Sequence, residues 1–72
     1  MNTLTEEQAY AAMFHFIEQY YNRSKWDVLG MLLGSMSLLQ DGSTADPAVA
    51  AEWHEAVEFA LQGGKAGELT LG

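Results

Sequence analysis

The sequence predicts an all-α fold, a small three-helix bundle with short loops and a glycine-containing C-terminal tail. Three observations carry this expectation. Large apolar residues recur at spacings of three and four in three separate blocks, the repeat of an amphipathic helix. Each block opens on a residue that can cap a helix, Thr5, Ser24 or Asp46. The stretches between the blocks are short and rich in turn-forming residues. The expected helices cover about residues 5–22, 25–39 and 47–62, followed by a tail at 63–72, all within one domain and without an internal repeat.

The first helix is announced by Thr3 to Gln8, T-L-T-E-E-Q. Thr5 can cap the free N–H groups of the first turn, and Gln8, three residues on, can return a hydrogen bond to the cap. Glu6 and Glu7 suit the positive end of the helix dipole. Tyr10, Met13, Phe14, Ile17, Tyr20 and Tyr21 form the expected core stripe, widened by Phe16, Ala9 and Ala12. Gln8, His15, Glu18, Gln19 and Asn22 fall toward water, and the helix should end near Asn22 to Ser24.

The second helix is expected to start from the pattern S-K-W-D, with Asp27 three residues after Ser24. It contains Val28 to Leu39, a run without charge. A membrane-crossing helix needs about 20 apolar residues, and Asp27, Gln40 and Asp41 bound this run too tightly. A secretory signal would instead follow a basic amino terminus, whereas this chain opens M-N-T-L-T-E-E. Leu29, Leu32, Leu33 and Met36 share one face, and Val28, Met31 and Leu38 spread around another, so the helix should be buried on most sides. Gly30 and Gly34 stand one turn apart. Each costs about 1 kcal/mol relative to alanine inside a helix, so G-M-L-L-G is expected to be a groove for close packing. Its occupant would be the first or third helix, or else a partner protein or a second copy.

Gln40 to Asp46 reads as a loop with Asp41-Gly42 as its turn. Asp46 then caps the third helix, and Pro47 occupies the first helical position, where its missing N–H costs nothing. Val49, Trp53, Ala56, Val57, Ala60 and Leu61 are the expected buried stripe. Glu52, Glu55 and Glu58 recur every third residue as an acidic ridge, and Gly63-Gly64 stops the helix.

Charge narrows the function. The chain carries a formal charge of −7, with only Arg23, Lys25 and Lys65 as cations. Nucleic acid is disfavoured because phosphate binding is carried by Lys and Arg, and an anionic membrane surface for the same reason. Acidity serves solubility, or it serves attraction to a basic protein. The absence of cysteine and of a targeting element points to a cytoplasmic domain. Two His/Glu pairs, His15 with Glu18 and His54 with Glu58, suggest a two-helix metal site. A di-iron bundle, however, needs four inward carboxylates and two histidines in Glu-x-x-His motifs, and these histidines lie off the apolar stripes. Gly34-Ser35-Met36 lacks the second glycine of a nucleophile elbow. No metal, cofactor or enzymatic activity is therefore expected.

The pattern L-T-E-E-Q-A-Y-A-A-M, then L-L-G-S-M-S-L-L, then D-G-S-T-A-D-P-A with a tryptophan in the following helix, resembles small bacterial immunity proteins of contact-dependent growth inhibition and related polymorphic toxin systems. The likeness runs through most of residues 4–61 and consists of caps, core leucines and a turn. It implies a non-enzymatic cytoplasmic protein that binds a toxin domain and blocks it. Where such proteins have small residues or acids near the start of the second helix, this chain has Trp26 and Met31. A basic toxin would be steered by Asp41, Asp46, Glu52, Glu55 and Glu58 and anchored by Tyr20, Tyr21, Trp26 and Met31. The alternative is a self-associating structural or adaptor bundle, a homodimer for example, whose apolar surplus is covered by its own copies.

Overall fold

The computed structural model describes residues 3–65 and 67, so 66 and 68–72 of the expected tail lie outside the described residues. The chain forms three helices, α1 (Glu6–Ser24), α2 (Asp27–Met36) and α3 (Pro47–Leu61), and the small all-α fold matches the expectation.

The first cap forms as anticipated. Thr5 Oγ1 accepts from the Gln8 N–H at 3.0 Å, and Gln8 Oε1 accepts from the Thr5 N–H at 2.9 Å. The second does not. α1 runs on through Ser24 and ends in Lys25, which takes the left-handed conformation (φ 57°) and donates its N–H to the Tyr21 carbonyl. Ser24 is thus consumed as the last residue of α1, and α2 starts at Asp27 behind Trp26, which gives no side-chain cap. α2 also stops earlier than expected, at Met36. Leu38 leaves the helix to form an isolated antiparallel bridge with Thr44, and the Ala45 and Asp46 N–H groups reach back to the Ser37 and Ser35 carbonyls. These bonds fold residues 37–46 against the end of α2 and fix where α3 begins.

α3 starts as the sequence indicates, with the Asp46 carboxylate accepting from the Ala48 N–H at 3.0 Å and Pro47 in the first turn. It ends at Leu61, and Gly63 just beyond takes the left-handed region at φ +91°. The Gly63 and Gly64 N–H groups donate back to the Ala60 and Phe59 carbonyls, a paired closure that needs a residue tolerant of the left-handed region.

Packing within the three-helix bundle is uneven. α1 and α2 are closely paired, α3 rests on α1 over a shorter length, and α2 and α3 scarcely meet. Among the described residues, the buried core reduces to Tyr10, Leu33 and Met36 with Thr44. The Tyr10 hydroxyl donates to the Met36 carbonyl at 2.7 Å, and the Thr44 hydroxyl donates to the Asp46 carbonyl at 2.6 Å, so the buried polar groups are paired. Met13, Phe14, Ile17 and Tyr21 are half-buried, whereas Phe16 and Tyr20 are exposed. No residue of α3 is buried: Val49, Trp53 and Val57 are half-covered, and Ala56, Ala60 and Leu61 of the expected stripe are exposed.

The two interior glycines separate. A Cβ at Gly30 would stand 2.9 Å from Tyr21 Cε1, so α1 does use this position for close approach. At Gly34 nothing among the described residues lies within 4 Å, and they leave the expected groove there open. The expectation that α2 is covered on most sides fails for the same reason. Among the described residues, α1 covers one side of it and residues 37–46 its end, and α3 rests on α1 near Tyr10 and Glu6 without enclosing the rest.

Candidate functional site

The outward face of α2 is the feature that stands out. Val28 and Met31 are 74% and 73% exposed, and Trp26, immediately before the helix, is 66% exposed. The side of α2 that meets α1 is occupied by Leu33, Met36 and Gly30, which leaves Val28, Met31, Leu32 and Ser35 on the free side. Burial of a side chain of this size is worth about 1.5–3 kcal/mol, so the isolated chain leaves a large part of its apolar potential unused.

This strip has two borders, one at the loop before α3 and one on α3 itself. Met31, Gly34, Ser35, Ala45 and Asp46 line one shallow dent. On the other side of α2, a cleft of about 220 Å³ opens between the helices. Tyr10, Met13 and Met36 floor it, Leu32 forms one wall, Val49, Trp53 and Ala56 form the other, and Glu52 is its charged residue. α3 is held beside this cleft by few groups. The Trp53 ring meets Tyr10 edge-on at 5.5 Å, and its Nε1–H points to the Glu6 carbonyl at 3.4 Å. His54 lies between two carboxylates, Glu6 at 3.2 Å and Glu58 at 3.8 Å.

The residues proposed from sequence as partner contacts therefore divide. Met31 lies on the free side of α2 and Trp26 is exposed just before the helix, while Asp46 and Glu52 line the dent and the cleft that flank α2. Tyr21 is half-buried over Gly30 with the Lys25 ammonium 5.4 Å from its ring. Tyr20 lies with Phe16 and beneath the Arg23 guanidinium, 4.5 Å from the ring centre. Glu55 is exposed, while Glu58 turns toward His54. Successive glutamates three apart rotate by about 60° around a helix, so the three do not form a straight ridge. Asp41 is engaged in its own loop: Oδ1 accepts from the Ser43 N–H at 2.9 Å and from the Ser43 hydroxyl at 2.6 Å. These two bonds hold its carboxyl below the ordinary value.

Leu32, Val49 and Ala56 line the cleft, although periodicity places them in the core, because periodicity reports an apolar face without reporting whether anything covers it. Among the described residues, no three histidine or carboxylate side chains converge as a metal site, and no helix is long and apolar enough to cross a membrane. Comparison with protein-family models, with curated proteins and with solved structures gave no match for this chain.

Proposed function

We propose that the chain is a non-enzymatic protein-binding module that docks on a basic protein through the free side of α2. The observation that carries this reading is the exposure of Val28 and Met31 on α2 and of Trp26 just before it, in a chain with a charge of −7. Aromatic and methionine side chains are favoured as desolvated anchors in interfaces, and carboxylates around them speed encounter with a cationic surface. Asp46 and Glu52 stand where they would do so.

The resemblance of the sequence to immunity proteins narrows the partner to a toxin domain of contact-dependent growth inhibition, neutralised in the cytoplasm by occlusion. The reading requires a toxin domain to be encoded beside this chain in its source genome, and co-expression with that domain tests it. The wild type should restore growth, and the double variant Trp26→Ala, Met31→Glu should not, although both positions are exposed and the variant stays folded. Failure of the wild type to protect against that toxin refutes the proposal. Self-association would cover the same strip, but two copies of charge −7 repel. Sedimentation should accordingly give a concentration-independent monomer mass.

A further inference from the structure

The cleft between α2 and α3 is bounded by helices on both sides and floored by a third, yet no side chain of the described residues fills it. Its surface is apolar apart from Glu52, and no Lys or Arg lines it. Two of the chain's three cations are spent elsewhere: Arg23 and Lys25 lie over tyrosine rings in the last turn of α1 and just beyond it. Trp53 meets α1 at Tyr10 and Glu6, near its opposite end.

Three kinds of occupant can be compared. An added strand needs a sheet edge to pair with, and the described residues offer only the isolated Leu38–Thr44 bridge. A second copy would bring another Glu52, and another −7, against the first. A basic helix meets neither obstacle. Its apolar ridge can enter the groove between two helices, and a cation on its flank finds Glu52.

We infer that this cleft receives a basic amphipathic helix of the partner protein, with apolar side chains seated over Tyr10, Met13 and Met36 and a Lys or Arg beside Glu52. The inference rests on the reading of the chain as a binding module and names the element of the partner that it takes. Such a helix supplies the closure that α2 and α3 do not give each other.

The probe is a synthetic helical peptide of about 18 residues, with leucines at i, i+3, i+4 and i+7 and lysines elsewhere. Its counterpart carries glutamates in place of the lysines. The readout is NMR of the labelled protein, in which the indole N–H signals of Trp26 and Trp53 report the α2 side and the cleft separately. The expected result is a saturable shift of the Trp53 indole with the lysine peptide. Binding should be about tenfold weaker for Glu52→Lys and for the glutamate peptide, and lost in Ala56→Phe, whose ring fills the space. Ala56 and Glu52 are both exposed, so these variants retain the fold.

Equal binding by Ala56→Phe, equal binding of the glutamate peptide, or no saturable binding at all overturns the inference. So does a dimer of the free chain that Ala56→Phe abolishes, because the cleft would then belong to a second copy. Toxin protection separates the two readings. Protection that survives Ala56→Phe removes the cleft and leaves the binding module standing. Absence of protection by the wild type removes the toxin reading whatever the peptide does.

Discussion

The ring of Tyr21 lies over Gly30 so closely that a methyl group there would stand 2.9 Å from Cε1, while one turn later Gly34 faces open space. Glycine to alanine in an open helix interior gains about 1 kcal/mol. Gly34→Ala should therefore raise stability by about that amount in a denaturant titration. Gly30→Ala should fail to realise the gain because the half-buried ring must move, and Gly30→Leu should lose about 1–3 kcal/mol through overpacking. Equal effects at the two positions would show that Tyr21 does not pack on α2.

Tyr10 ties α1 to the last turn of α2 through its hydroxyl, which donates to the Met36 carbonyl at 2.7 Å. Tyr10→Phe leaves that carbonyl without its partner, at a cost of about 1–3 kcal/mol. Burial also raises the Tyr10 hydroxyl above its ordinary value of 10.0. The folded state then holds this proton more firmly than the unfolded chain does. The resulting stability is complete below pH 10.0 and is lost as pH rises through the raised value. Wild type should lose stability faster than Tyr10→Phe as the pH rises above 10.0 in thermal melts at matched ionic strength.

Caps and turns were legible because they are decided within four residues. Thr5 with Gln8, Asp46 with Pro47, and Gly63 with Gly64 each form as the local pattern indicates. Ser24 fails because two elements compete for it, and the continuation of α1 to Lys25 wins. Periodicity locates the apolar side of a helix, but coverage depends on a neighbour's position, which no single window of sequence contains. Gly30 and Gly34 look alike in sequence and differ only because α1 passes over one of them. At the candidate site, Trp26 and Met31 could be picked out as apolar residues in excess of what three short helices hide. Leu32, Val49 and Ala56 could not, since each fits a core stripe.

Asp41 is tied to Ser43 by two hydrogen bonds that favour its charged form and lower its carboxyl below the ordinary 3.8. The contribution to the loop is present above pH 3.8 and is lost as pH falls through the depressed value. An NMR titration should find the Asp41 midpoint below 3.8, with the Ser43 amide shift following the same curve. Ser43→Ala removes the hydroxyl and should move the midpoint back up. An unchanged midpoint in that variant would mean that the hydroxyl bond contributes nothing.

α3 has no buried residue and is attached to α1 mainly through Trp53, with His54 beside Glu6. Short isolated helices are marginal in water, so local opening of α3 should require much less free energy than opening of the paired α1 and α2. Hydrogen exchange should show α3 amides less protected than those of α1 near Tyr10. Trp53→Ala removes both the edge-on contact with Tyr10 and the N–H bond to Glu6, and large aromatic truncations cost about 3–5 kcal/mol in a full core. Here the half-exposed ring should cost less, roughly half of that, with the loss concentrated in α3 while the α1 and α2 amides keep their protection. Uniform loss across all three helices would show instead that the chain folds and unfolds as one cooperative unit. A partner helix in the neighbouring cleft would then have to act on the whole domain, whereas a separately opening α3 would be closed down by it and gain protection on binding.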